Sequence, residues 1–401
     1  MKTTRIARLK KLKTVAVISD AIRMTVRNGI LMGFSQYSQS RHDIAVRCIN
    51  SLDVRKSGVL NGCDAAMVIS FLPDVVEYVK ATGLPTAFFG SSVSPGVLGI
   101  STDAAQSGII AAEWFIRRGF KNFAFCGKRG ISGTNILELQ EKSFSDTVTK
   151  AGFECRIFDE AAITKNSFGL QHLENLLLGL EKWIPTLPPR TAILCTNDNR
   201  ALHVLNTCIK LGRAVPDDIA IMGRRNDVAV CSCAPVPLTS IDMNLPGVGC
   251  ATLRILSSAI DKPVKPKVRP TFRVPLIGIV ERDSTAVYPI DPPWLAKTLL
   301  LIDANLDLAF NMSSLAEAAG VSEKTLDRAF HKAFGTSAGK YVMSVKMREA
   351  KRLVDAGNHS VKEIAAHTGF SSANHFSRAY RNFYGHPPSK GQDARQTRRN
   401  A

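Results

Sequence analysis

Two stretches of the 401-residue chain carry side chains suited to reading a nucleic acid: RAFHKAFG, residues 328–335, and RAYRNFYG, residues 378–385. Each lies in a helix-length segment with one polar side. In the first segment that side holds Lys324, Thr325, Asp327, Arg328, His331 and Lys332; in the second it holds Asn374, His375, Ser377, Arg378 and Arg381. Arginine pairs with guanine O6 and N7 in the major groove, and asparagine with adenine N6 and N7. An arginine can equally hold a phosphate, which sets position without reading a base. The opposite side is apolar every four residues: Leu326, Phe330 and Phe334, then Phe376, Tyr380 and Tyr384. That is one buried stripe of a helix, so these aromatics are core.

The elements that must position these side chains repeat as well. Upstream of each frame come Leu315-Ala316 and Ile364-Ala365, then Gly320 and Gly369. The pattern predicts a short helix, a glycine turn and a second helix in each copy. Asn311 is the expected N-cap of the first copy, and Ser360 with Glu363 an expected capping box in the second. Gly320 and Gly369 sit where a tight turn needs positive φ, and Gly335 and Gly385 can end the second helices. Such units place their second helix in the major groove of double-stranded DNA. Between the copies, SAGKYVMSVKMREAKRLVDAG predicts one helix, with Ser337 as its cap. About 19 residues at 1.5 Å each span about 28 Å, close to the ~34 Å of one DNA turn. One rigid helix can thus set two reading helices in successive grooves on one DNA face. Its packing side is expected at Tyr341, Val345 and Leu353, with Lys346, Arg348, Lys351 and Arg352 on a solvated face.

Residues 14–285 read differently. Apolar runs of four to six residues (TVAVISD, AAMVIS, PTAFFG, NFAFCG, TAILCT, DIAIMG) alternate with helical patterns. That is the signature of parallel strands with crossover helices, and the length predicts two such lobes in tandem. The stretch 286–293, rich in proline, reads as a linker to an all-α domain at 294–390, with tails at 1–13 and 391–401. The expected fold is therefore a two-lobed α/β domain followed by a helical domain with two helix-turn-helix units.

The net charge of +18 permits a nucleic-acid partner without locating it. From residue 286 onward there are 16 Lys/Arg against 10 Asp/Glu, and residues 1–13 hold six Lys/Arg. The nine cysteines are irregularly spaced with no C-x-x-C, which argues for reduced thiols rather than a zinc or disulfide framework. No G-x-S-x-G, Walker-type loop or His/Cys cluster favours an enzyme, and no metal or other cofactor is expected. No run of about 18 apolar residues suggests a membrane span, so a cytoplasmic, nucleoid-associated protein is expected.

The segments LAEAAGVSEKTLDRAFHKAFGTSAGKYVMSVKMREAKRLV and SVKEIAAHTGFSSANHFSRAYRNFYGHPP resemble the DNA-binding module of the AraC/XylS family over residues 310–388. The resemblance implies DNA contacts from Lys324, Thr325, Asp327, Arg328, Asn374, His375, Ser377 and Arg378. That family usually ends in Pro-x-x-Tyr-Arg, whereas here Ser389-Lys390-Gly391-Gln392 follows the prolines. STDAAQSGIIAAEWFIRRGFKNFAFCG, TAILCTNDNRALHVLNTCIKLGRAVPDDIAIMG and LTSIDMNLPGVGCATLRIL resemble LacI/GalR sensor domains, which share the periplasmic-binding-protein fold.

This second resemblance implies an effector between the lobes, a sugar or sugar derivative, held by Asp20, Arg23, Asn197, Asp198 and Arg225. Two positions depart from the family. Arg225 stands where a sugar-binding Asp is usual, and Gln140 stands where an Arg is usual. Arg pairs bidentately with carboxylates, which suits a sugar acid; pairing of Arg225 with Asp227, or a surface position, is the alternative. The implied partners are a DNA operator or promoter, the effector and a second copy of the chain in a homodimer, with RNA polymerase as a candidate fourth. An α/β enzyme or solute-binding protein fused to a DNA-targeting module is the other reading of the whole.

Overall fold

The computed structural model describes residues 12–20, 23–39, 43–70, 72–90, 97–127, 136–164, 169–261, 271–308, 310–356 and 359–388. Most of both predicted tails, and Ser389–Gln392, lie outside them. The elements run β1 (Lys13–Ser19), α1 (Met24–Ser38), β2 (Ile44–Asn50), β3 (Ala65–Ile69), α2 (Pro73–Ala81), β4 (Thr86–Phe89), β5 (Val97–Thr102), α3 (Ala104–Arg117), β6 (Asn122–Gly127), α4 (Ile136–Lys150), β7 (Cys155–Asp159), α5 (Glu160–Ile163), α6 (Gly169–Trp183), β8 (Thr191–Cys195), α7 (Asp198–Lys210), β9 (Ile219–Arg224), α8 (Val228–Cys233), β10 (Thr239–Asp242), α9 (Leu245–Asp261), β11 (Phe272–Val274) and β12 (Gly278–Val280). The helical domain follows with α10 (Pro293–Ala304), α11 (Met312–Ala319), α12 (Glu323–Phe334), α13 (Ala338–Ala356), α14 (Val361–His367) and α15 (Ala373–Tyr384).

Two six-stranded sheets form the lobes, in the orders β11-β5-β4-β3-β1-β2 and β12-β10-β9-β8-β6-β7. The pairings are parallel except β10 with β12. Central strands such as β3 and β8 are buried throughout, as expected when helices cover both faces of a parallel sheet. The lobes are not in simple tandem. The chain passes between them after β5, after β10 and between β11 and β12, so β11 returns to the first lobe after the second is built. The crossings are tied together: the Ile277 N–H donates to the Asp242 carbonyl at 3.1 Å and Asn244 Nδ2 to the Pro275 carbonyl at 3.1 Å.

The segment before α10 is not a loose linker. Ser284 is buried and its hydroxyl donates to the Ile221 carbonyl at 2.6 Å, which keeps this part in the second lobe. Tyr288 is buried in the core of the helical domain with Leu295, Leu299 and Ile302. In that domain Leu326, Phe330, Phe376 and Tyr380 are fully buried, as the stripe requires. The Asn311 carboxamide and the Ser314 side chain form one reciprocal cap, and Ser360 with Glu363 the other. Gly320 and Gly369 have φ of 66° and 67°. The helix between the two units is α13, 19 residues long.

Lys346 departs from expectation. It is not on a solvated face but only 5% exposed, and its Nζ donates to the Leu308 carbonyl at 2.6 Å. A Cβ on Gly369 would meet that Nζ at 2.5 Å and the carbonyl oxygens of Asp307 and Leu308. A cation in mid-α13 therefore ties the segment before the first unit to the turn of the second. Its long apolar stem is buried while its charged head finds backbone oxygen.

Candidate functional site

The DNA-facing residues can be sorted by exposure. On α12, Lys324, Thr325 and Arg328 are exposed; on α15, Asn374, His375 and Arg378 are exposed, and Ser377 is half-buried. Ser322 and Ser372 cap the two helices by accepting from the N–H groups of Thr325 and His375. The His375 ring packs edge-on against Phe370 with centroids 5.3 Å apart, which fixes where the start of α15 points its polar groups. Asp327 is the exception. It is half-buried, and its Oδ1 accepts the Ala338 N–H at 3.0 Å, capping the start of α13. Asp327 is thus bound into the packing between α12 and α13. An Asp327→Ala variant is expected to lose about 1 kcal/mol of stability, while Asp327→Asn keeps both that stability and the operator preference. Chemical denaturation and operator titration of the two variants check this.

The second site lies at the carboxyl ends of the strands, where open α/β folds bind ligands. From the first lobe come Asp20, at the end of β1, and Arg23, which is 8% exposed. The Ser51 hydroxyl and the Ser70 hydroxyl (2.7 Å) both donate to Asp20 Oδ1. From the second lobe come Asn197, which caps α7 through the Arg200 N–H, and Asp198 at its first turn. Asp198 is 2% exposed and accepts from the Ser240 hydroxyl at 2.5 Å and the Asp227 N–H at 2.8 Å. It fits there because residue 223 is glycine; a Cβ at that position would strike its carboxylate. Burial pushes the Asp198 pKa up to about 6, against the pull of the Ser240 and Asp227 donors.

Arg225 is half-buried and sits at φ 115°, a conformation rarely adopted by side chains with a Cβ. The loop holds it there: the Arg225 N–H donates to the Ile241 carbonyl at 2.9 Å, and Asn226 Nδ2 to Asp242 Oδ2 at 3.0 Å. Asp198 and Asp227 attract its charge from a distance, yet among the described residues its guanidinium makes no ion pair or hydrogen bond with either. Thr25 of the first lobe donates to Asp227 of the second at 2.7 Å, so the lobes touch at the cleft edge. Arg224, in the same GRRND loop as Arg225, is only 3% exposed and reaches across to the Thr102 hydroxyl at 3.4 Å. It is the last residue of the otherwise apolar strand IAIMGR, which delivers it to the cleft. Gln140 is fully buried on α4, where the helix crosses α3 at Gly108.

A third feature joins the two. Helix α3 starts beside the cleft, capped by Asp103, and ends against the helical domain. There Arg118, 7% exposed at its side chain, pairs with Glu281 and, at 2.9 Å, with Asp303 of α10. The Tyr288 hydroxyl also donates to Asp303 at 2.7 Å, and the guanidinium lies 4.1 Å from the Trp114 ring centroid and 4.6 Å from that of Tyr288. Burial works against the Arg118 charge, but Tyr288, Glu281 and Asp303 together hold its pKa above the usual value. The node borders a pocket of about 860 Å³ between α3 and β12 on one side and α10 and α13 on the other.

A family profile described as a periplasmic binding protein-like domain matches residues 112–285, and one described as a helix-turn-helix domain matches residues 315–393. The chain joins an AraC-type DNA-binding domain to a periplasmic-binding-protein-like sensor. It is a DNA-binding transcriptional regulator under small-molecule control. The regulator is similar to the xylose operon regulatory protein of Escherichia coli K12, with 24% identity over 90% of this chain and 91% of that one. Its DNA-binding end is 34% identical to the HTH-type transcriptional regulator GbdR of Pseudomonas aeruginosa, over 26% of this chain and 28% of that one. In fold it resembles the xylose-binding transcription activator XylR, with a TM-score of 0.59 and 21% identity over 96% of this chain and 99% of that one. The regulators of this kind to which it is similar are not enzymes. Among the described residues no helix is long and apolar enough to cross a membrane.

Proposed function

We propose that the regulator reads two half-sites with α12 and α15, and that a sugar-type effector between the lobes changes how the two helices are presented. The observation that carries this is α3. It begins with the Asp103 cap at the cleft and ends with Arg118 locked to Asp303 of the helical domain. Fourteen helical residues make a rod of about 21 Å. A ligand with different affinity for open and closed lobes would shift the end of that rod, and it can shift the equilibrium only by that difference. The sugar class is supported by the xylose named for the similar regulators and by carboxylates such as Asp20 and Asp198, which can accept from ligand hydroxyls.

Binding as a homodimer and contact with RNA polymerase in the cytoplasm belong to the same proposal. Selection of bound sequences from random duplexes tests the DNA part. The recovered site should hold two unlike elements about one helical turn apart. Arg328→Ala and Arg378→Ala should each weaken binding to that site by about 1–3 kcal/mol and relax preference at one element only. Equal losses on every sequence would mean that both arginines hold phosphate. Repeating the titration with D-xylose and with other sugars tests the effector part.

A further inference from the structure

Three arginines meet in the cleft, two of them buried. Arg23, Arg224 and Arg225 converge from both lobes, and Arg23 and Arg224 are 8% and 3% exposed. Arg225 bears electrostatically on each of the other two. Four carboxylates nearby attract these charges, but among the described residues none makes an ion pair with Arg224 or Arg225. Asp20 is held by Ser51 and Ser70, Asp198 by Ser240 and the Asp227 N–H, Asp227 by Thr25, and Asp103 by its own helix cap. Buried polar atoms of the second lobe with no hydrogen-bond partner among the described residues include Arg224 Nε and Thr196 Oγ1, at the carboxyl ends of β9 and β8. Buried donors without acceptors are costly unless something completes them. The backbone strain at Arg225 is further reason to read a function there, since such strain persists where the surrounding structure enforces it.

We infer that the effector is a polyhydroxylated anion, its carboxylate or phosphate seated among Arg23, Arg224 and Arg225 and its hydroxyls donating to Asp20 and Asp198. Guanidinium forks match both kinds of oxyanion. The inference rests on the cleft being the effector site, as proposed above. Without ligand the three cations repel one another in a desolvated place: burial followed by Arg225 pulls Arg23 and Arg224 down to about 10, although Asp20 draws Arg23, and Asp198 and Asp103 draw Arg224, the other way. An anion removes that penalty only when both lobes contribute their arginines, so it favours closure.

The test is calorimetry on the full chain with D-xylose, D-xylonate, D-glucuronate and D-glucose 6-phosphate, each repeated with Arg225→Gln. At least one acid or phosphate should bind more tightly than D-xylose, and the variant should weaken that ligand by roughly 10- to 100-fold, as expected for losing a hydrogen bond to a charged group. The acids and the phosphate separate the two sources of negative charge. D-xylose binding as tightly as any anion in the panel, with Arg225 intact, would overturn the inference. So would the absence of heat from every anion. If D-xylose also shifts operator affinity, the proposed function stands while the anionic effector falls.

Discussion

An Arg118→Ala variant should lose about 3 kcal/mol of stability and, on operator DNA, its response to effector. The size follows from what is left behind. Arg118 is nearly buried, and its removal leaves Asp303, 22% exposed at its side chain, without its cation and beside the Tyr288 hydroxyl. Glu281 is half exposed, so its pairing is screened by water and adds little. That places the loss at the low end of the range for breaking a buried pair. Two stacking contacts, with Trp114 and Tyr288, go at the same time. Urea unfolding followed by tryptophan fluorescence reads the first effect, because Trp114 is one of three tryptophans and touches the node.

The second effect separates coupling from mere stability. Arg118→Met with Asp303→Asn removes the charge pair from both sides, and replacing both partners of a buried pair is far less costly than removing one. That double variant should recover most of the stability and still bind operator, but with affinity unchanged by effector. Retention of a full effector response in the double variant would mean that the signal takes another route, such as the β12 side of the pocket.

Much of the helical domain was legible because its determinants are local. Asn311 with Ser314, Ser360 with Glu363 and the glycine turns act over three or four residues, and the stripe recurs in one helix. Lys346 was misplaced, and the cap that Asp327 gives α13 was not foreseen, for the opposite reason. Their partners, Leu308 and Ala338, are 38 and 11 residues away, and nothing in a helical pattern reveals a partner at that distance. In the sensor, long apolar strands such as β1, β3 and β8 stood out. β2 has three consecutive exposed residues at Val46, Arg47 and Cys48, and β11 has three residues in all, so neither gives a clear run. The interleaving of the lobes depends on β11 and was hidden with it. Arg118 reads as one of two arginines ending an amphipathic helix. Its partners lie 163 and 185 residues further on, and only the folded chain brings them together.

Asp198→Asn should make the effector-free regulator more stable at pH 7, by about 3 kcal/mol, and should abolish effector binding. The sign follows from the direction of the shift. The folded pKa, about 6, lies above the ordinary value for Asp of about 4. The native state thus holds its proton more tightly than the unfolded chain does, and stability from this group is complete below about pH 4. It is lost as pH rises towards 6, by about 3 kcal/mol for a shift of two units, and stays lost at pH 7. Asparagine never ionises. Its carbonyl can accept the Asp227 N–H, and its amide can donate to the Ser240 oxygen, so both existing contacts survive. Denaturation midpoints across pH 3.5–7 should therefore coincide for the two proteins at the acid end, diverge between about pH 4 and 6, and keep a steady gap above that. A constant gap across the whole pH range would mean that ionisation of Asp198 is not its source. If the gap opens as expected, the wild-type chain carries an unfavourable buried carboxylate at neutral pH. A charge kept at that cost in a ligand cleft is explained by what it does for the bound state: it accepts hydroxyls of the effector and, together with the arginines, makes the closed, ligand-filled cleft more favourable than the empty one.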